Sequence, residues 1–195
     1  MKKVFTFIAL AFIAFSSFAS NDKDGVESSE VITLTARLNS TIALDMDNSD
    51  IVFEFNELND FRNGLGGYEK AYQSTGTISA TANWNLSFFA KKDFTHTSGN
   101  TMPLDNVGLS AKFTGKNSIA DYSNQQPLKL SKQSRLILGY NGSTTNAGDA
   151  SDNAFTIYWE MGTKKNDMNG TSIYDQNLKK GEYKTEVEFV ASEVL

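Results

Sequence analysis

The stretch Ile78-Ser-Ala-Thr-Ala-Asn-Trp-Asn-Leu-Ser-Phe-Phe-Ala90 sets the reading of this chain. Every even position is apolar (Ile78, Ala80, Ala82, Trp84, Leu86, Phe88, Ala90), and the odd positions are polar until Phe89. Strand side chains point alternately to opposite faces, so an unbroken period of two predicts a long strand or a bent pair of strands, one face on a core and the other in water. A parallel sheet covered on both faces would read as a continuous apolar run instead.

The same alternation recurs along the chain. Ile32, Leu34, Ala36 and Leu38 alternate with Thr33, Thr35 and Arg37, and residues 42–44 and 51–55 follow on either side of a turn over 45–50. Val107, Leu109, Ala111 and Phe113 form another set, as do Phe155, Ile157, Trp159 and Met161. Tyr183, Thr185, Val187, Phe189 and Ala191 close the chain, and residues 128–130 and 136–138 give two shorter runs. Clusters of Gly, Asn, Asp and Ser lie between them, with a long loop over 56–76 and a polar loop over 141–153. Nowhere does an apolar period of 3.6 persist through three turns. Seven to nine short strands predict an all-β fold, an antiparallel immunoglobulin-like β-sandwich, with a β-barrel as the competing closure.

The N-terminus reads as an export signal. Lys2 and Lys3 precede an apolar run over 4–15, and Ser17-Phe-Ala19 has the small-x-small form of a cleavage site. The apolar run is too short for a comfortable membrane span, and Asn21-Asp-Lys-Asp24 follows at once. Residues 1–19 are therefore expected to be a cleaved signal peptide, 20–30 a polar flexible leader and 31–195 a single β-sandwich domain. The expected destination is the outside of the cell or its surface, with no membrane insertion after cleavage. Loss of Lys2 and Lys3 from the 18 basic residues leaves 16 against 23 acidic ones, a net charge of −7 that disfavours nucleic acid. The chain has no Cys, so core burial and strand pairing must hold it without disulfides, and thiol chemistry and Cys-based zinc sites are excluded.

No catalytic motif rises above this pattern, and the chain reads as non-enzymatic. His96, in Asp93-Phe-Thr-His-Thr-Ser-Gly-Asn100, is the single histidine and is expected in an exposed turn. No Gly-x-Ser-x-Gly turn accompanies it. Asp45-Met-Asp-Asn-Ser-Asp50 begins like a calcium loop but has Asp50 where the sharp turn needs Gly and Asn56 where a bidentate Glu would sit, so it reads as a solvated turn. Gly64, Gly66 and Gly67 lack the context of a phosphate loop. No metal site and no cofactor are implied. Phe89, Tyr140 and Tyr158 are aromatics that could face a glycan, the basis of an alternative reading as a monomeric surface module for glycan or cell-wall polymer.

Three pieces resemble bacterial fimbrial subunits of the alternate chaperone-usher type and the related immunoglobulin-like WxL surface domains. Glu30-Val-Ile-Thr-Leu-Thr-Ala-Arg-Leu38 is similar to the N-terminal donor strand of the cysteine-free fimbrial subunits. Met102-Pro-Leu104, the alternating run after it and Leu136-Ile-Leu-Gly139 follow the order of the middle of those subunits. Lys180-Gly-Glu-Tyr-Lys-Thr-Glu-Val-Glu-Phe189 is similar to their closing Gly-x-Tyr strand, and Trp84-Asn-Leu86 matches the short WxL signature. The Leu and terminal Pro of the second WxL motif are missing after Tyr183. The resemblance implies a secreted structural subunit of a surface fibre or matrix that polymerises by strand donation. Ile32, Leu34, Ala36 and Leu38 would be the donor residues. The implied partners are other copies of the chain or related subunits, a periplasmic chaperone and a surface glycan.

Overall fold

The computed structural model describes residues 30, 32–47 and 50–194. The expected signal peptide, and the expected leader apart from Glu30, lie outside the described residues. Chain contacts divide the molecule after Arg37. Residues 32–37 form no strand, and the first regular element comes only at Ile42, later than the alternation from Ile32 predicts.

From Leu38 onward the chain is built from antiparallel strands and few helical turns. One sheet contains β1 (Ile42–Met46), β3 (Gln73–Ala80), β11 (Ala154–Met161), β7 (Val107–Phe113) and β9 (Leu128–Lys129), in that spatial order, with β2 (Leu65–Gly66) pairing the end of β11. A second sheet has the order β13 (Val187–Glu193), β4 (Trp84–Ala90), β10 (Arg135–Gly139) and β8 (Ala120–Asp121). A small third sheet joins β12 (Tyr183–Lys184), β5 (Phe94–His96) and β6 (Thr101–Met102). Among the described residues the one α-helix is α1 (Leu58–Asn63), within the long loop predicted from sequence, and no helix is long and apolar enough to cross a membrane.

The opening stretch of alternation is a pair of strands belonging to different sheets. β3 ends at Ala80, residues 81–83 cross over, and β4 begins at Trp84. Three crossing residues preserve the parity of the alternation, so Ile78 and Ala80 face the core from one sheet, and Trp84, Leu86 and Phe88 from the other. Leu109, Ala111, Phe155, Ile157 and Ile137 complete the same cluster. Trp84 is its anchor: the indole is fully buried and Nε1 donates to the Asn146 carbonyl at 2.7 Å. Asn146 also accepts the Trp84 N–H and donates to the Trp84 carbonyl, which fixes the polar loop of 141–149 over the end of β4. A buried amide satisfied in this way costs far less than an unpaired one.

Two runs divide differently from their sequence pattern. Residues 183–191 break at Thr185: Tyr183 pairs with His96 in the small sheet, whereas Val187 starts the ladder along β4. Residues 51–55 alternate as a strand does, with Ile51, Phe53 and Phe55 half-buried against the core, yet they join no ladder. Where β2 meets β11, Gly66 has φ of 84°, and a Cβ there would strike the Trp159 carbonyl, so only glycine allows the close approach.

Replacing Trp84 with Ala is expected to cost about 3–5 kcal/mol, the usual penalty for deleting a large buried aromatic. Chemical denaturation with unchanged slope would measure it, and a loss below about 1 kcal/mol would remove Trp84 as the anchor.

Candidate functional site

The donor candidates carry large apolar side chains with no core around them. Ile32 is 73% exposed, Leu34 93% and Leu38 96%, and Ala36 is exposed as well. Backbone pairing starts only at Thr41, which donates to Thr81 Oγ1 and accepts from the Thr81 N–H. A run of alternating apolar residues held in water is unfavourable unless something covers it.

Within the unit that begins at Leu38, β13 and the segment 51–55 have a backbone edge without a strand partner among the described residues, as do β1 and β9 at the ends of the larger sheet and β8 at the far end of the sheet that holds β13. β13 lies at the end of its sheet and pairs only with β4, from Val187 opposite Ala90 to Glu193 opposite Trp84. Its side chains Val187, Phe189 and Ala191 are half-buried against the core. Phe189 packs on Phe88 with ring centres 6.3 Å apart and meets the Trp159 ring edge-on at 5.9 Å. The second such segment is 51–55. Phe53 packs on Tyr72 at 4.5 Å and Phe55 on Phe61 at 5.3 Å, while Val52 and Glu54 face out. Among the described residues no main-chain hydrogen bond leaves 51–55. Backbone amides and carbonyls in such a segment need water or an added strand. At its C-terminal end β13 is tied to the segment before β1, because Ser40 Oγ donates to Glu193 Oε2 at 2.6 Å.

The aromatics singled out as glycan-facing are distributed over the molecule. Phe89, on the outer face of β4 opposite Glu188, is half-buried, as is Tyr140 just past β10. Tyr158 is buried, its ring meeting Tyr68 at 5.2 Å. Burial pushes the Tyr68 hydroxyl up from its ordinary pKa, the neighbouring Glu69 charge adding to the effect, and Glu69 is paired to Lys112 at 2.5 Å.

His96 is corrected from an exposed turn residue to a buried one at the end of β5. Pairing with Tyr183 covers it, the two rings lying 5.1 Å apart, and a side chain at Gly181 would run into its Nε2. Its Nδ1 accepts from the Ser98 N–H at 3.0 Å and lies 2.6 Å from Ser98 Oγ. Among the described residues no carboxylate hydrogen-bonds to the imidazole, so the arrangement ties a hairpin turn. Asp45 and Asp47 both stand exposed, and Asp47 Oδ2 accepts from Thr75 Oγ1; Asn48 and Ser49 of that turn lie outside the described residues.

The sequence reading missed the loop that follows β11. Glu160, on the outer face of β11, is almost fully buried and is held by Thr163 Oγ1 at 2.5 Å and Lys165 Nζ at 3.0 Å. Asp167 in the same loop accepts the Lys129 N–H at 2.9 Å and the Arg135 guanidinium, joining the loop to both sheets. Burial opposes ionisation of Asp167, but these hydrogen bonds and the Arg135 charge outweigh it and hold the carboxyl below its ordinary pKa of 3.8.

A carboxyl lowered in the folded state stabilises above the unfolded value and loses that contribution as pH falls through the folded one. Asp167→Asn is therefore expected to be less stable than the parent chain at neutral pH, with the gap closing as pH drops below the ordinary value of 3.8. Thermal unfolding of both proteins across that range checks the sign, and a constant gap at all pH values would contradict it.

No protein-family model matches this chain, and no curated protein matches it.

Proposed function

We propose that this chain is a secreted structural subunit of a bacterial surface fibre or matrix, in which the N-terminal segment of one subunit completes the sheet of the next. The observation that carries this reading is the pairing of opposites on one molecule. Ile32, Leu34, Ala36 and Leu38 are exposed, alternate in sequence and lie outside any sheet, and among the described residues β13 is a sheet edge with half-buried apolar side chains and no outer strand.

Antiparallel sheets packed on a common core support a sandwich reading, and β13 is an edge of one of them: among the described residues no strand pairs its side away from β4. A donor segment added beside β13 gains main-chain hydrogen bonds along that edge, and its alternate side chains pack on the half-buried apolar face. The contact joins two different surfaces, so repetition gives an open filament instead of a closed ring.

Replacing Leu34 with Asp tests this directly. A carboxylate forced into an apolar slot has no compensating partner there, so insertion is expected to fail while the acceptor unit still folds. Polymers should disappear from unboiled gels and electron micrographs of the variant, and a chain lacking residues 20–38 should bind a synthetic peptide of residues 30–38. Normal polymers from the Leu34→Asp chain would reject the donor role. A monomer that shows no polymer at all and is retained by a polysaccharide column would favour the surface-module alternative.

A further inference from the structure

Asn-Gly occurs three times, at Asn63-Gly64, Asn141-Gly142 and Asn169-Gly170. In this dipeptide the glycine nitrogen can attack the side-chain carbonyl carbon of the asparagine, because no Cβ obstructs its approach. A bond forms between that nitrogen and Cγ, its proton passes to Nδ2, the bond from Cγ to Nδ2 breaks, and Nδ2 leaves as ammonia. Water then opens the resulting succinimide at either carbonyl, giving aspartate or isoaspartate. The reaction requires a mobile glycine amide and a carboxamide free to rotate, so hydrogen bonds to either group raise its barrier.

The three sites differ in both respects. At Asn63 the Gly64 N–H donates to the Asp60 carbonyl at 2.8 Å, and Gly64 is pressed against the backbone of residues 161–163. Its Nδ2 is also engaged, donating to Asn59 Oδ1 at 2.7 Å. Around Gly142 there is open space, but the Asn141 carboxamide is locked. Its Oδ1 accepts from Ser143 N–H, Ser143 Oγ and Thr144 N–H, while Nδ2 donates to the Ser118 carbonyl, Ser118 Oγ and Thr144 Oγ1. Asn169 has neither restraint to that degree. Oδ1 accepts from the Thr171 N–H at 3.0 Å, and among the described residues Nδ2 and the Gly170 amide have no hydrogen-bond partner. Gly170 is exposed, with nothing within 4 Å of where its Cβ would stand.

We propose that Asn169 is a site of spontaneous deamidation in the folded protein, and that the fold protects the other two Asn-Gly pairs. Conversion there has a structural consequence. Asn169 lies between buried Met168 and the Thr171 carbonyl that accepts from Gln176 Nε2, and its own N–H donates to the Asp105 carbonyl. Isoaspartate lengthens the backbone by one atom at this point, and either product adds a negative charge to a chain already acidic.

Ageing the full-length folded protein in mildly alkaline buffer, followed by tryptic digestion and fragment-ion mass spectrometry, measures the three conversions separately. Asn169 is expected to convert at least about tenfold faster than Asn63 or Asn141, the ratio for roughly one more net hydrogen bond to be broken at the protected sites. In denaturant the three rates should converge. Asn63 or Asn141 converting as fast as Asn169 in the folded chain would overturn the proposal. Gly170→Val places a branched side chain on the attacking residue in open space, and should slow conversion at Asn169 without unfolding the protein; an unchanged rate in a folded variant would equally overturn it.

Discussion

The fold depends on the junction at Trp84, where the chain leaves one sheet and enters the other. Two sheets that share a core must exchange chain somewhere, and the exchange exposes polar backbone beside the largest apolar side chain of the interior. Asn146 resolves that conflict. Its side chain accepts and donates along the Trp84 backbone as a neighbouring strand would, and its own carbonyl takes the indole N–H. Asn83, just before the crossing ends, holds the same loop through Thr145 Oγ1 and the Asn146 N–H. The 141–149 loop, low in complexity and polar, thus supplies the hydrogen bonds that let an indole be buried completely where a ladder starts.

Alternation was legible wherever one sheet face meets the core. It located β4, β7 and β11 almost to the residue, and only the second half of β3, whose residues 73–76 fall in the expected loop, because a period of two is imposed on side chains by the strand itself. What alternation cannot carry is pairing. Ile51, Phe53 and Phe55 repeat as regularly as Leu109, Ala111 and Phe113, yet only the latter have neighbours in register, since hydrogen-bond partners come from distant parts of the chain. The break between Tyr183 and Val187 was hidden for the same reason. Tyr183 belongs to the small sheet built around His96, and nothing local marks the change of sheet.

Burial of polar groups was the least legible feature. Glu160, Tyr158 and His96 sit at positions that alternation assigns to solvent or to a turn; Tyr158 and His96 are covered by segments remote in sequence, the turn at Tyr68 and the strand at Tyr183, and Glu160 by the loop that directly follows its own strand. A carboxylate can be accepted there because Lys165 and Thr163 reach it together; removing either partner alone would leave a buried charge less than fully compensated.

A free edge such as β13 poses a different problem from a buried polar group, because no side chain of its own can close it. Natural sheets blunt their edges with charges, bulges, prolines or short strands. β13 is seven residues long, contains no proline, and turns Val187, Phe189 and Ala191 toward the core. Glu186, just before the strand, and Glu188 within it are met by Lys92 and Lys91 of the strand-end beside them, and Glu193 accepts from Ser40 Oγ, so Glu186 and Glu188 discourage edge-to-edge association less than free carboxylates would. The Lys92 hydrogen bond and charge hold Glu186 below its ordinary pKa, keeping that pair ionised through mild acid. Under the proposed reading, a segment whose apolar residues recur at every second position, and whose intervening residues are Thr and Arg, supplies what such an edge lacks: backbone groups for the unpaired side, apolar side chains for the half-buried face and polar ones for the solvent.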